Sequence, residues 1–318
     1  WPAWHLIDIT AYMKYNQPHG VARGRFMPML ATRGCPYECA FCTSPSMWTR
    51  RWIARNPQKL IEEMAHYVNK YNATDFQFED LTAIVQKSWV LKFCAEIAQK
   101  GLKITWQLPS GTRSEAIDAQ TARTMRRSGC YEFAYAPESG SPDTLRQIKK
   151  MVKLDFLYAS AKACIKEGIQ VQCNFIIGFP FETWKDIFLT YVATIRCALM
   201  GMTTVNFNAF SPQPSTHLFH ELLKAGKITL NDEFFFALFT FEGLFGKKKS
   251  YNDRISDWAL SFLIIGGYII FFSVSFLCRP WRAFWVMRDM FRKNSTTRLG
   301  KVARAMVNEW KKIWFYRN

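Results

Sequence analysis

The sequence carries no internal repeat and no low-complexity tract, so it does not read as a repeat array or a disordered linker. It is short of acid: 25 Asp and Glu stand against 42 Lys and Arg, a net charge of +17. Such a balance points to nucleic acid, an anionic membrane or an acidic substrate. The shortage is uneven, because the stretch from Arg279 to Asn318 holds 11 Lys or Arg and 2 Asp or Glu, a net of +9, leaving +8 for everything before it. Charge of either sign is absent from the 21 residues Trp258–Cys278. Histidine is scarce, with 5 in the chain and none within 10 residues of Cys42, which weakens any zinc reading of the cysteines around it. No secretory leader is visible. The chain opens on Trp1 and not Met, and is read as continuing from an N-terminal part that is absent.

Cysteine is present but not as a scaffold. Nine in 318 residues is an odd number and far too sparse for a small disulfide framework, so a reducing compartment fits. Three of the nine crowd into 8 residues. Cys94, Cys130, Cys164, Cys173, Cys197 and Cys278 are scattered among apolar neighbours and read as core thiols. With 49% hydrophobic and 16% aromatic residues the chain can bury a sizeable core.

From Phe26 to Phe210 short β-rich runs alternate with segments of helical period, the pattern of βα units around a parallel sheet. Six strands are expected, at Met27–Arg33, Thr74–Asp80, Lys103–Leu108, Cys130–Ala136, Gln170–Ile177 and Thr203–Phe210. Asn56 followed by Pro57 reads as a helix N-cap with Leu60, Ile61, Met64, Val68 and Tyr71 in one stripe behind it. Thr183 and Asp186 form a capping-box pattern ahead of a helix to about Met200. Ser88 and Ser114 are placed to cap the second and third helices, and a helix near Phe156–Glu167 stops at Gly168. The expected fold class is therefore α/β: six βα units in a partial, TIM-like barrel, with a C-terminal helical appendage. The expected division is 1–25 linker, 26–215 barrel and 216–318 a helical, hydrophobic and basic region. There, Pro212 and Pro214 mark a loop, His217–Ala225 a short helix, and Phe234, Phe235, Phe236, Phe239 and Phe241 an aromatic run.

The decisive segment is Gly34-Cys35-Pro36-Tyr37-Glu38-Cys39-Ala40-Phe41-Cys42, a CxxxCxxC directly after the first expected strand. Loops at the C-terminal strand ends of βα barrels build active sites, so these thiolates face the barrel mouth. Thiolates are the usual ligands of iron–sulfur clusters, and three of them leave one iron of a cubane without a protein ligand. Structural zinc and simple packing are the alternatives. The vacant iron suits a small molecule that chelates it and accepts an electron.

At these residues the sequence resembles the radical S-adenosylmethionine (SAM) superfamily, whose defining motif is CxxxCxxC with an aromatic, here Phe41, before the last Cys. The resemblance implies a 4Fe-4S cluster on Cys35, Cys39 and Cys42, SAM bound at its open iron, and cleavage of SAM to a radical that abstracts hydrogen from substrate. By position it also implies cofactor contacts. Glu79 and Asp80, ending the second strand, fall where the family binds the methionyl ammonium, with loop capping as the bland alternative. Glu138 and Ser139, ending the fourth, fall where ribose or carboxylate contacts are expected. Asn174-Phe175-Ile176-Ile177-Gly178-Phe179-Pro180-Phe181-Glu182 resembles an adenine-binding segment, with Asn174 in place of its first Gly and Glu182 one residue late. Ile176 and Gly178 carry over, Gly178 because a flat ring close to the backbone excludes a β-carbon.

Trp1–Asp8, Cys42–Trp48, Arg51–Arg55 and Asn208–Pro214 resemble the branch that follows a cobalamin-binding domain and includes anaerobic magnesium-protoporphyrin monomethyl ester cyclase and C- or P-methyltransferases. That implies radical methylation or cyclisation of a hydrophobic small molecule, cobalamin held by the missing N-terminal domain, and a reductant such as flavodoxin or ferredoxin. A tRNA methylthiotransferase and a non-catalytic, membrane-associated iron–sulfur protein are the competing readings, and nucleic acid is not the expected partner. Arg50, Arg51 and Arg55 would hold an anionic group or form a solvated loop. His217 and His220 read as surface residues more than as metal ligands. Trp258–Cys278 meets the length criterion for a membrane span. Arg279, Arg282, Arg288, Arg292 and Lys293, interleaved with Trp281, Phe284 and Trp285, resemble an interfacial helix on anionic lipid. Spanning, surface contact through residues 258–318, and a packed helical cap stay open, with a cytoplasmic location, peripheral on the inner membrane face, as the expectation.

Overall fold

The computed structural model describes residues 1–15, 18–238, 247–292 and 297–304. Its frame is one sheet of six parallel strands lying side by side in chain order: β1 (Phe26–Met29), β2 (Asp75–Phe78), β3 (Thr105–Thr112), β4 (Cys130–Glu138), β5 (Gln170–Ile177) and β6 (Thr204–Ala209). Between successive strands run α1 (Pro57–Tyr71), α2 (Lys87–Lys100), α3 (Ala119–Arg127), α4 (Leu154–Lys166) and α5 (Trp184–Met200). Parallel neighbours need such crossovers, and in-order repetition with helices on the outside is the partial barrel expected.

Alternation along the strands separates two layers. Phe76 and Phe78 of β2 face outward, where Phe78 meets Phe93 of α2 and Trp106 of β3 edge-on at 5.6 and 6.1 Å. Gln77 and Gln107 face the interior, where Gln107 Nε2 bonds the hydroxyl of Tyr131 from β4. On β5 and β6 the outward set, Cys173, Phe175, Val205 and Phe207, is buried. The inward set carries three amides and one apolar side chain: Asn174 lies beside Asn206, and Ile176 beside Asn208.

Helix starts follow local chemistry. Asn56 accepts from Lys59 N, and Thr183 with Asp186 forms the expected capping box. Two expected caps are corrected. Gln86, not Ser88, precedes α2, and Asp118 caps α3 by accepting from Thr121 N, while the Ser114 hydroxyl is buried four residues upstream. Asp118 wins because its carboxylate also takes an ion pair from Lys87 at 2.5 Å. Among the scattered cysteines five are buried, but Cys278 is exposed at the end of its helix.

After β6 the chain forms short helices His217–Lys224 and Asp232–Leu238; Phe239 and Phe241 lie outside the described residues. Then α6 (Asp257–Cys278) returns to the barrel and packs over β6 beside α5. A β-carbon on Gly267 would sit 2.6 Å from the Phe207 ring, so only glycine lets α6 approach this strand. It is followed by α7 (Trp281–Phe291), and the described C-terminal segment crosses the N-terminal end of the barrel, where Arg298 Nε meets Glu132 at 2.7 Å and Lys301 Nζ donates to Pro18 O at 2.8 Å. At the other end of the chain Ile9 and Met13, on helix Ile9–Tyr15, enter the core.

Candidate active site

The cysteines sit on an excursion that leaves and rejoins the C-terminal end of β1 through a two-residue antiparallel ladder, Thr32–Arg33 against Ile53–Ala54. Gly34 starts the excursion with φ +76°, and a β-carbon there would lie 2.1 Å from Arg51 O. The loop is strapped on three sides. Cys35 N donates to Thr49 O at 3.1 Å; Ala40 N donates to Ile148 O at 2.9 Å; and Ala40 O accepts from Leu218 N at 3.0 Å. Tyr37 is pinned under the Arg113 guanidinium, 4.0 Å from its ring centroid, and Phe41 packs on Phe179 with centroids 5.7 Å apart.

Polar groups stand beside each thiol. Cys35 Sγ is 3.3 Å from Thr82 Oγ1, and Cys42 Sγ is 3.1 Å from Ser44 Oγ and 3.5 Å from Ser44 N. Burial pushes the Cys39 thiol up to about 11, with the Lys150 ammonium pulling it back and Glu138, Cys42 and Cys35 adding to the rise. Hydroxyls, an amide and a cation are groups that hold thiolates. Among the described residues no three His, Cys, Asp or Glu side chains stand close enough together to hold a metal ion. An iron–sulfur cluster places its own irons and sulfides between its thiolates, so its ligands need not meet around a point as zinc ligands do.

The other expected site residues divide. Glu79, directly after β2, is half-exposed and held by His19 Nδ1 at 2.7 Å and by the Ser110 hydroxyl at 3.1 Å, which aims a carboxylate at the mouth. Asp80 turns the other way. Fully buried, it accepts from the backbone of Ala31 and Thr32 and from the Thr32 hydroxyl, and closes β2 onto the start of the cysteine excursion. Burial pushes it up to about 6.

Glu138 ends β4 at φ +70°, a left-handed backbone that non-glycine residues adopt at a cost and that recurs at functional sites. Its carboxylate takes the Lys150 ammonium at 2.7 Å, and both side chains are nearly buried. Burial works against the Lys150 charge, yet Glu138 and Cys39 hold its pKa above the ordinary value. Ser139 is fully buried, 3.0 Å from the Thr190 hydroxyl and accepting from Ser141 N, so it ties the strand end to α5. Arg50 pairs with Glu38 at 2.8 Å on the surface, Arg51 is exposed, and Arg55 is committed to Glu63 and Leu30 O. His217 pairs with Glu221 at 3.5 Å along its own helix.

Lys150, His19, Thr82 and Ser44 were not singled out in the sequence. Lys150 and His19 reach the site from positions distant in sequence from their partners' strand ends, and no local spacing marks them. Ser44 is two residues from Cys42, where hydroxyl-to-thiolate capping was the available signal.

The radical SAM superfamily matches residues 29–191, just over half of the chain. The chain belongs to that superfamily. Its cofactors are therefore a 4Fe-4S cluster and SAM. A methyltransferase of Pyrococcus horikoshii, named PH0819 and otherwise uncharacterized, is 29% identical over 218 residues, 68% of this chain and 45% of the relative. The anaerobic magnesium-protoporphyrin IX monomethyl ester cyclase of Cereibacter sphaeroides is 25% identical over 70% of this chain and 35% of its own. In fold the barrel resembles the radical SAM methyltransferase TsrM of Kitasatospora setae, solved with cobalamin and a 4Fe-4S cluster bound, at a TM-score of 0.57 and 16% identity over 69% of this chain and 39% of that one. The chain thus spans less than half the length of these relatives.

The segment after β5 is shaped by the helix packed over it. Gly178 has φ +94°, and the space a β-carbon would enter is filled by Leu260 of α6 at 2.9 Å, so the close packing of this helix also requires glycine there. Ile176 is half-buried on the inward face of β5. Glu182 folds back beneath the turn, where Oε2 accepts from Gly178 N at 2.7 Å and Oε1 is buried without a hydrogen-bond partner. Burial pushes Glu182 up to about 8 from 4.5. Folding takes up a proton there. The stabilising contribution is complete below pH 4.5 and is lost as pH rises to about 8. Glu182→Gln is expected to flatten that dependence, gaining roughly 2–4 kcal/mol over the native residue at the alkaline end and little at pH 5, as read from urea midpoints across this range.

Proposed function

We propose that this chain is the catalytic barrel of a radical SAM methyltransferase or cyclase acting on a hydrophobic small molecule, with cobalamin supplied through an N-terminal domain beyond this sequence. Cys35, Cys39 and Cys42 are the cluster ligands in this reading. The observation that carries it is the strapped excursion at the end of β1, with hydroxyl partners at Cys35 and Cys42 and the Lys150 charge near Cys39. Reductive cleavage of SAM is the chemistry the cluster supplies when bound, given an electron from a flavodoxin- or ferredoxin-like reductant.

The chain's own residues bind and orient. Glu79, steadied by His19 and Ser110, is placed for the methionyl ammonium of SAM, since a carboxylate and an ammonium form a charge-assisted pair. The Lys150–Glu138 pair offers charge of both signs beside Cys39 for the polar parts of the cofactor. Phe41 and Ile176 offer apolar contact. Asp80, Ser139 and Gly178 are assigned to holding these elements in place. Asn174, Asn206 and Asn208 line the interior as neighbouring amides, suited to hydrogen-bonding groups on the substrate.

Division into a linker over 1–25, a barrel over 26–215 and a C-terminal region over 216–318, and a cytoplasmic location at the membrane's inner face, belong to the same proposal. Anaerobic reconstitution with iron and sulfide, then reduction with SAM present, tests it: 5′-deoxyadenosine is the expected product, joined by S-adenosylhomocysteine when the cobalamin-bearing full-length protein is used. Iron incorporation without either product would overturn the reading.

A further inference from the structure

The outer layer over β5 and β6 is patterned against water. On α5 the exposed positions are Trp184, Lys185, Phe188, Val192, Ile195, Arg196 and Leu199, and five of these seven are apolar. Barrel helices ordinarily turn charge outward here. Beside it α6 has no charged residue between Asp257 and Arg279, and it exposes Trp258, Phe262, Ile269 and Leu277. The two helices are joined along their seam, where the Tyr191 hydroxyl donates to Leu263 O at 2.6 Å. On α7 the pattern is inside out. Trp281, Phe284, Trp285, Met287 and Phe291 are exposed, while Asp289 is fully buried and accepts from Thr297 N at 2.8 Å.

By length and composition α6 is the one helix among the described residues able to cross a membrane. Its attachment argues against crossing. Leu260, Ile264 and Phe271 are buried in the barrel core, and the Tyr268 hydroxyl accepts from Phe207 N at 3.1 Å, so a crossing pose would carry β6 and its inward amides into hydrocarbon.

Charge names the occupant. Exposed Lys247 and Lys249 precede α6; Arg279 and Arg282 follow it, held at the rim by carbonyls at the end of α5, Ala198 and Leu199, and just beyond it, Gly201 and Met202; Arg292 is exposed after α7. We propose that α5, α6 and α7 form one continuous apolar face that seats the barrel flat on an anionic lipid bilayer without spanning it. Tryptophans at both ends and a basic rim are the features of a surface that enters the interfacial region. A second copy of the chain would bring the two basic rims together across a two-fold axis, which disfavours it.

The proposal does not depend on which reaction the barrel catalyses, and its test has no catalytic readout. In flotation the chain is expected to rise with vesicles of phosphatidylcholine and phosphatidylglycerol, less with phosphatidylcholine alone, and less at high salt. Phe188→Glu with Phe262→Glu is expected to lower partitioning by roughly tenfold or more, with circular dichroism and melting unchanged because both side chains already face outward. Trp285→Glu, on the inside-out helix, is expected to act in the same direction and serves as a second variant should the pair not fold. Failure to float with either vesicle type, flotation unaffected by these substitutions, or a dimer in light scattering that the same substitutions split without vesicle binding would each overturn it.

Discussion

Cys39→Ser is expected to leave the barrel folded, free of the brown iron–sulfur chromophore, and reduced to background in forming 5′-deoxyadenosine. Cys39 directly precedes the strapped Ala40, and the Lys150 charge acts on its sulfur. Serine keeps the shape but binds iron as a far harder and more basic ligand. The same result is expected at Cys35 and Cys42. Cys94→Ala is the matched control, since its buried sulfur accepts from the Ser128 hydroxyl on the outer side of the barrel, and this variant should retain about four irons per chain when reconstituted. Iron retained in Cys39→Ser, or lost in Cys94→Ala, would refute the ligand assignment.

A comparable loss is expected from Gly34→Val, although this residue bears no chemistry. Its φ of +76° costs a residue with a β-carbon about 1–2 kcal/mol, and that carbon would also meet Arg51 O at 2.1 Å. The excursion has no room to yield, because Thr49, which receives Cys35 N, lies against the same glycine. Iron incorporation should fall by roughly tenfold or more, each 1.4 kcal/mol being a factor of ten, while the six-stranded sheet persists by circular dichroism. Full iron content in this variant would show that the thiols do not depend on this geometry.

Much of this was legible along the chain. Four of the six strands were placed to within about two residues, Gln170–Ile177 to the residue, because each run of β-branched and aromatic side chains stands between helical segments, while the third, read as ending at Leu108, runs on to Thr112. The first was read long: Met27–Arg33 is β1 plus a separate ladder strand, since pairing with β2 ends at Met29. The capping box at Thr183 and the N-cap at Asn56 are local motifs and were readable for that reason. The cap of α3 was not, because Asp118 gains from Lys87, a residue on another helix. Lys293 and residues 305–318, part of the basic tail, lie outside the described residues.

In the site, the sequence by itself singled out the three cysteines, since CxxxCxxC after a strand is a contiguous signal, and it determined the alternation that builds the barrel. The tertiary structure decided what each of the neighbouring candidates touches. Glu79 faces the mouth while Asp80 is spent on backbone amides; Glu138 meets Lys150 while Ser139 is tied to α5; Gly178 makes room for Leu260. These residues lie at and just past the strand ends, so what each one meets depends on atoms brought from elsewhere in the chain and not on local spacing. The same holds for the uncharged run at 258–278: composition made it apolar enough to cross a membrane, and its fit against Phe207 made it a barrel helix.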